Sequence, residues 1–122
     1  QLAVVVDDAA QGINAIVRGA DLLDSTPRQV WLLQRLGLPT PVYAHLPVVN
    51  NATGEKLSKQ TRAAAVPPAD GSAPLSAAMR FLGHPVPREM VGAPLPEFWD
   101  WAIANWSIER VPPLRGAFPG RR

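Results

Sequence analysis

Residues 54 to 60 read GEKLSKQ and place Lys56, Ser58 and Lys59 together in a stretch with turn character. A lysine ammonium on a mobile turn is a flexible point charge, suited to closing on the phosphates of a nucleotide. Taken alone, the same residues more simply suit a solvated surface turn. Arg18 offers different chemistry. Its guanidinium is a planar fork of donors, so it is either a receptor for a carboxylate or half of an ion pair with Asp21 or Asp8. The adjacent Asp7 and Asp8 invite a paired-carboxylate or Mg²⁺ reading. His45 and His84 stand far apart without carboxylate spacing, and the chain has no cysteine. No metal site, disulfide framework or thiol nucleophile is therefore expected in these residues.

Several elements must position those groups. LAVVVDD (2–8) carries three consecutive valines, which by propensity read as a buried strand, and a turn follows at Gln11-Gly12. INAIVRG (13–19) reads as a second strand with Arg18 near its end. DSTPRQVWLLQRLG is a helix pattern with Thr26 at the N-cap, Pro27 at the first helical position and Gln29 completing a capping box. Val30, Leu33 and Leu36 supply its apolar face and Gly37 its stop. VYAHLPVV (42–49) is a strand limited by Pro47, and NNATG (50–54) is turn chemistry leading into the lysines. VPPADGSAP (66–74) reads as a linker, LSAAMRFLG (75–83) as a short helix, and PEFWDWAIANW (96–106) as a helix with an aromatic stripe. That stripe is more simply packing than a base-stacking platform. Trp31, Trp99, Trp101 and Trp106 are expected in the core or at a subdomain interface, and RVPPLRGAFPGRR (110–122) as a flexible tail.

The bulk numbers bound the possibilities. With 122 residues, 47% hydrophobic and 18% charged, the chain suits one globular domain with a modest core. Twelve Lys+Arg against ten Asp+Glu leave a charge of +2, so the pI near 9.7 reflects a small excess rather than a strong basic field. That permits a nucleic-acid partner without demanding one. No apolar run approaches the roughly 18 residues of a membrane span, and residues 1 to 20 lack a secretory pattern, so the cytoplasm is the expected compartment. The chain opens on Gln1 rather than Met, so a processed or truncated chain is the expectation.

Read in order, IVRGAD, STPRQ, AHLP and KLSKQ resemble the second half of the catalytic domain of class I glutamyl-tRNA synthetases. The likeness runs over residues 1 to about 66. A lone KLSK is weak; the blocks in this order and spacing are specific. Gln60, where full-length members usually carry arginine, and the end of the chain at residue 122 favour the family's short branch, which lacks the anticodon-binding region.

The resemblance implies an α/β fold, the second half of a Rossmann-like nucleotide-binding domain over residues 1–66. A small, mainly helical region and tail follow over 67–122. It also implies that LAVVVDD is a helix, against its propensity. It implies ATP-dependent activation of L-glutamate, with Mg²⁺, and transfer to the queuosine base of tRNA(Asp). Lys56, Leu57, Ser58, Lys59 and Gln60 fall at the family's ATP-binding KMSKS-like signature, with Lys59 as the catalytic lysine on the phosphates. Arg18 falls where the family contacts glutamate. His45 belongs to a block beside the ATP pocket, and Asp7 and Asp8 to a structural polar network. The HIGH-like signature, the zinc ligands and further glutamate contacts are expected upstream, so these residues are expected to be the C-terminal portion of a longer, monomeric enzyme and inactive alone. A truncated glutamyl-tRNA synthetase, or a non-catalytic tRNA-binding remnant using Lys56, Lys59 and the terminal arginines, are the alternatives.

Overall fold

The valine run is helical. In the computed structural model, which describes residues 1–58 and 71–119, α1 spans Leu2–Ala10 and Val5 is its buried residue. Flanking alanines and Gln11 continue the helical hydrogen bonding, and tertiary packing against the next helix overrides valine's strand preference. Strand β1 (Ala15–Gly19) follows, then a 3-10 segment (Ala20–Ser25) running directly into α2 (Thr26–Arg35). Strand β2 (Val42–Leu46) lies parallel to β1, a pairing that requires the crossover helix between them. Pro47 ends β2, as its missing N–H dictates, and β3 (Val48–Val49) resumes beyond it. The architecture is mixed α/β with a parallel strand pair.

The chain divides into two units, Gln1–Val48 with Leu114–Gly116, and Val49–Pro113 with Ala117–Arg122. In the first, Val5, Ala20 and Leu33 are buried among α1, α2 and the strands. The expected helix at 26–35 is present, but its capping box is not. Thr26 already has helical angles (φ −57°, ψ −48°) and its N–H donates to the Leu23 carbonyl, so the 3-10 segment supplies the first turn's partners. The side chains of Thr26 and Gln29 are thereby available for other work.

The second unit is built on α3 (Ala73–Phe81) and α4 (Leu95–Asn105). Helix α3 begins two residues earlier than the sequence pattern placed it, within the stretch read as linker. Met79, Val86, Phe98 and Ala102 form its core, with Phe98 at 0% exposure. His84, also buried, accepts the Ser107 N–H at Nε2 (3.0 Å) and stacks on Trp106 at 4.5 Å. Trp31, Trp99 and Trp106, expected as core or interface residues, are 53%, 49% and 41% exposed; the smaller Phe98 takes the centre.

Residues 110–119 are not a free tail. Strand β4 (Gly116–Ala117) is formed, and in the second unit Asn50 N–H donates to the Ala117 carbonyl at 2.9 Å. In the first, Arg115 donates to both carboxylate oxygens of Asp24, at 2.7 and 2.8 Å. The expected boundary near residue 66 lies outside the described residues.

Candidate functional site

The period of a strand decides which side chains can meet here. In the β1–β2 register Ile16 stands opposite Tyr43 and Arg18 opposite His45, so these residues share one face. Helix α2 lies on that face and brings Thr26 and Gln29, three apart and therefore neighbours on its surface. The half-buried Arg18 guanidinium is the meeting point. Nη1 donates to Gln29 Oε1 at 2.7 Å and Nη2 to Thr26 Oγ1 at 2.7 Å. Nη2 also lies 3.5 Å from the Leu22 carbonyl, and Nε donates to His45 Nε2 at 3.4 Å. The Tyr43 ring sits 5.1 Å from the guanidinium carbon, at cation–π range.

The tautomer of His45 follows from these donors. Its Nε2 faces Arg18 Nε–H and lies 2.9 Å from Thr26 Oγ1, whose own oxygen is already accepting from Arg18. Nε2 is thus the acceptor and Nδ1 carries the ring proton. No carboxylate is among the described hydrogen-bond partners of the guanidinium. Among the described residues, the ion pair with Asp21 or Asp8 that the sequence left open is not what holds Arg18. Gln29 continues the network, donating from Nε2 to Gln1 Oε1 at 2.7 Å. An arginine held by neutral acceptors keeps its full charge and a defined orientation, the requirement for receiving an acidic ligand.

The lysine segment belongs to the second unit. Asn51 Oδ1 accepts from the N–H groups of Thr53 (3.1 Å) and Glu55 (2.8 Å), closing the turn that Gly54 completes at φ +88°. Lys56 bridges Asn50 in antiparallel fashion, and Leu57 N–H donates to the Val49 carbonyl at 2.8 Å. Up to Leu57 this is a braced hairpin, and Gly54 serves its tight turn, as the turn chemistry of 50–54 predicts. Ser58 follows it, half-buried. Lys59 and Gln60 lie outside the described residues.

The sequence singled out Arg18 and His45, and the fold brings them together. It did not assign Tyr43, nor Thr26 and Gln29 beyond a cap. The signal for that pair was present in their spacing of three, read there as a capping box. Asp7 and Asp8 take no part in this cluster: Asp8 lines a small cavity with Val5, Ile13 and Leu33 beside it. Among the described residues no group of three His, Asp or Glu could hold a metal ion, and no helix is long and apolar enough to cross a membrane.

Residues 1–72 match the family described as tRNA synthetases class I (E and Q), catalytic domain. The glutamyl-Q tRNA(Asp) synthetase of Thiobacillus denitrificans is 57% identical over 112 residues, covering 92% of this chain and 37% of that protein. That of Aromatoleum aromaticum is 56% identical over 121 residues, covering 98% of this chain and 38% of the relative. The Pseudomonas aeruginosa PAO1 protein of the same name is 49% identical over 112 residues, with 92% and 38% covered. The chain thus spans little more than a third of the length of these curated relatives. With the family's catalytic-domain match over more than half its length and these identities beyond it, the chain belongs to the class I glutamyl- and glutaminyl-tRNA synthetase family.

Proposed function

We propose that this chain contributes to an ATP-dependent ligase that activates L-glutamate and transfers it to the queuosine base of tRNA(Asp). The observation that carries this is the Arg18 fork, oriented by Gln29 and Thr26 with no carboxylate among its described partners. A positive fork of this kind suits the side-chain carboxylate of glutamate and gives no comparable grip on the amide of glutamine. The parallel β1–β2 pair with its crossover helix fits one portion of a Rossmann-like nucleotide fold, in which ligands lie beyond the carboxyl ends of the strands. Arg18 and His45 are both near those ends.

Activation forms an acyl–phosphate bond at the α-phosphorus of ATP and expels pyrophosphate, so negative charge develops on the phosphates. The KLSKQ segment, Lys56 to Gln60, would supply cations there, Lys59 above all; Mg²⁺ would share that work. Names and lengths of the relatives support the queuosine-directed branch over a truncated glutamyl-tRNA synthetase or a non-catalytic remnant. The test is transfer of labelled glutamate by the complete gene product that contains this sequence. Label should enter tRNA(Asp) carrying queuosine, and not tRNA(Asp) lacking it or tRNA(Glu). Charging of tRNA(Glu) instead would transfer the proposal to the aminoacylating branch.

A further inference from the structure

Glutamine is mostly a surface residue, yet Gln29 is 6% exposed. Its Oε1 accepts from Arg18 Nη1 at 2.7 Å, while its Nε2 is held by Gln1 Oε1 at 2.7 Å. The second bond fixes which end of the amide faces the arginine. One turn earlier on α2, Thr26 Oγ1 accepts from Nη2, so one helix face fixes both prongs of the fork. A glutamate at position 29 would reach the same place and form a stronger, charge-assisted bond, but it would also neutralise the cation. The amide orients without neutralising.

We infer that Gln29 is a positioning residue that sets specificity for an acidic substrate, by aiming the Arg18 fork while leaving its charge uncompensated. The inference rests on the reading of Arg18 as the carboxylate receptor. It assigns the glutamine of the TPRQ block to substrate selection and not to capping the helix on which it stands.

The experiment is glutamate-dependent pyrophosphate exchange by the complete gene product, with Gln29→Glu, Gln29→Met and Arg18→Ala compared by KM, kcat and melting midpoint. Gln29→Glu should raise the glutamate KM by roughly tenfold to a hundredfold, the scale of a hydrogen bond to a charged group. Its ATP KM should stay near wild type, whereas its melting midpoint should fall slightly, because the carboxylate keeps the shape and the bond from Arg18 but cannot donate to Gln1 Oε1. Gln29→Met, which keeps the volume and loses the acceptor, should raise the glutamate KM too, and it decides the matter should Gln29→Glu melt early. If Arg18→Ala raises the glutamate KM while both Gln29 variants leave it unchanged, Gln29 only packs and the inference falls alone. Equal losses for glutamate and ATP in the Gln29 variants also overturn it. An unchanged glutamate KM in Arg18→Ala overturns the underlying reading of Arg18.

Discussion

At the scale of single residues, what matters is how each charge is held. Thr26 is the second neutral acceptor on Arg18, at 2.7 Å. Replacing it with valine keeps the shape, removes the oxygen, and should raise the glutamate KM by on the order of tenfold with little change in the ATP KM. Thr26→Ser should restore most of the loss, because the acceptor returns. For Lys59, the family position implies a charge used in the transition state. Lys59→Ala should therefore lower kcat for exchange about a hundredfold while the glutamate KM moves little; near-normal exchange would remove it from that role. The Asp24–Arg115 pair answers to pH. The hydrogen bond from Arg115, followed by its charge, holds the Asp24 carboxyl below the usual carboxylate range. A depressed folded pKa contributes above the unfolded value and is lost as pH falls through the folded one, so this tie should weaken only in acid. Both partners are well exposed, 64% and 73%, so added salt should weaken it as well. Carboxyl NMR shifts of Asp24 through an acid titration, at low and high salt, check both statements.

At the scale of elements, the sequence was legible where local chemistry decides and opaque where pairing does. Strand β1, the split of 42–49 at Pro47, the turn at 50–54 and the three longer helices beyond α1 were readable from pattern and turn residues. Valine propensity misread α1, because the deciding contacts come from α2 and the strands rather than from its own run. The Arg18 cluster could not be read linearly. Its geometry depends on the register that sets Arg18 against His45, and register is a tertiary fact. The end of α3 shows the same coupling in the second unit. Gly83 has φ +84°, and a Cβ there would strike the backbone oxygen of Arg110. Gly83→Ala should therefore destabilise the helical unit by about 1–3 kcal/mol or more, read as a lower melting midpoint. Ser76 predicts the opposite sign. Its hydroxyl is buried with no hydrogen-bond partner, so Ser76→Ala should be neutral or stabilising by about 1 kcal/mol. A clear loss of stability in Ser76→Ala would show that the hydroxyl is satisfied.

At the scale of the whole molecule, one open surface fits the short coverage of the relatives. Parallel strands are ordinarily covered on both faces, yet Val17 and Val42, on the face opposite Arg18, are 64% and 74% exposed. The described residues hold the Arg18 cluster in one unit and Lys56 to Ser58 in the other, and the proposed reaction is to be tested on the complete gene product. The family was legible because four short blocks, IVRGAD, STPRQ, AHLP and KLSKQ, each carry chemistry or a turn that fixes residue type. The role of Gln29 was not, because a glutamine one turn into a helix is locally indistinguishable from a capping residue. The central claim is that Arg18 receives the carboxylate of glutamate. Its most direct test is pyrophosphate exchange by the complete gene product, driven in turn by glutamate and by glutamine, in the wild type and in Arg18→Lys. The account predicts a strong wild-type preference for glutamate and a steep, glutamate-specific rise in KM for Arg18→Lys, since the ammonium keeps the charge and loses the fork. Wild-type glutamate kinetics in Arg18→Lys, with the preference over glutamine intact, would contradict it.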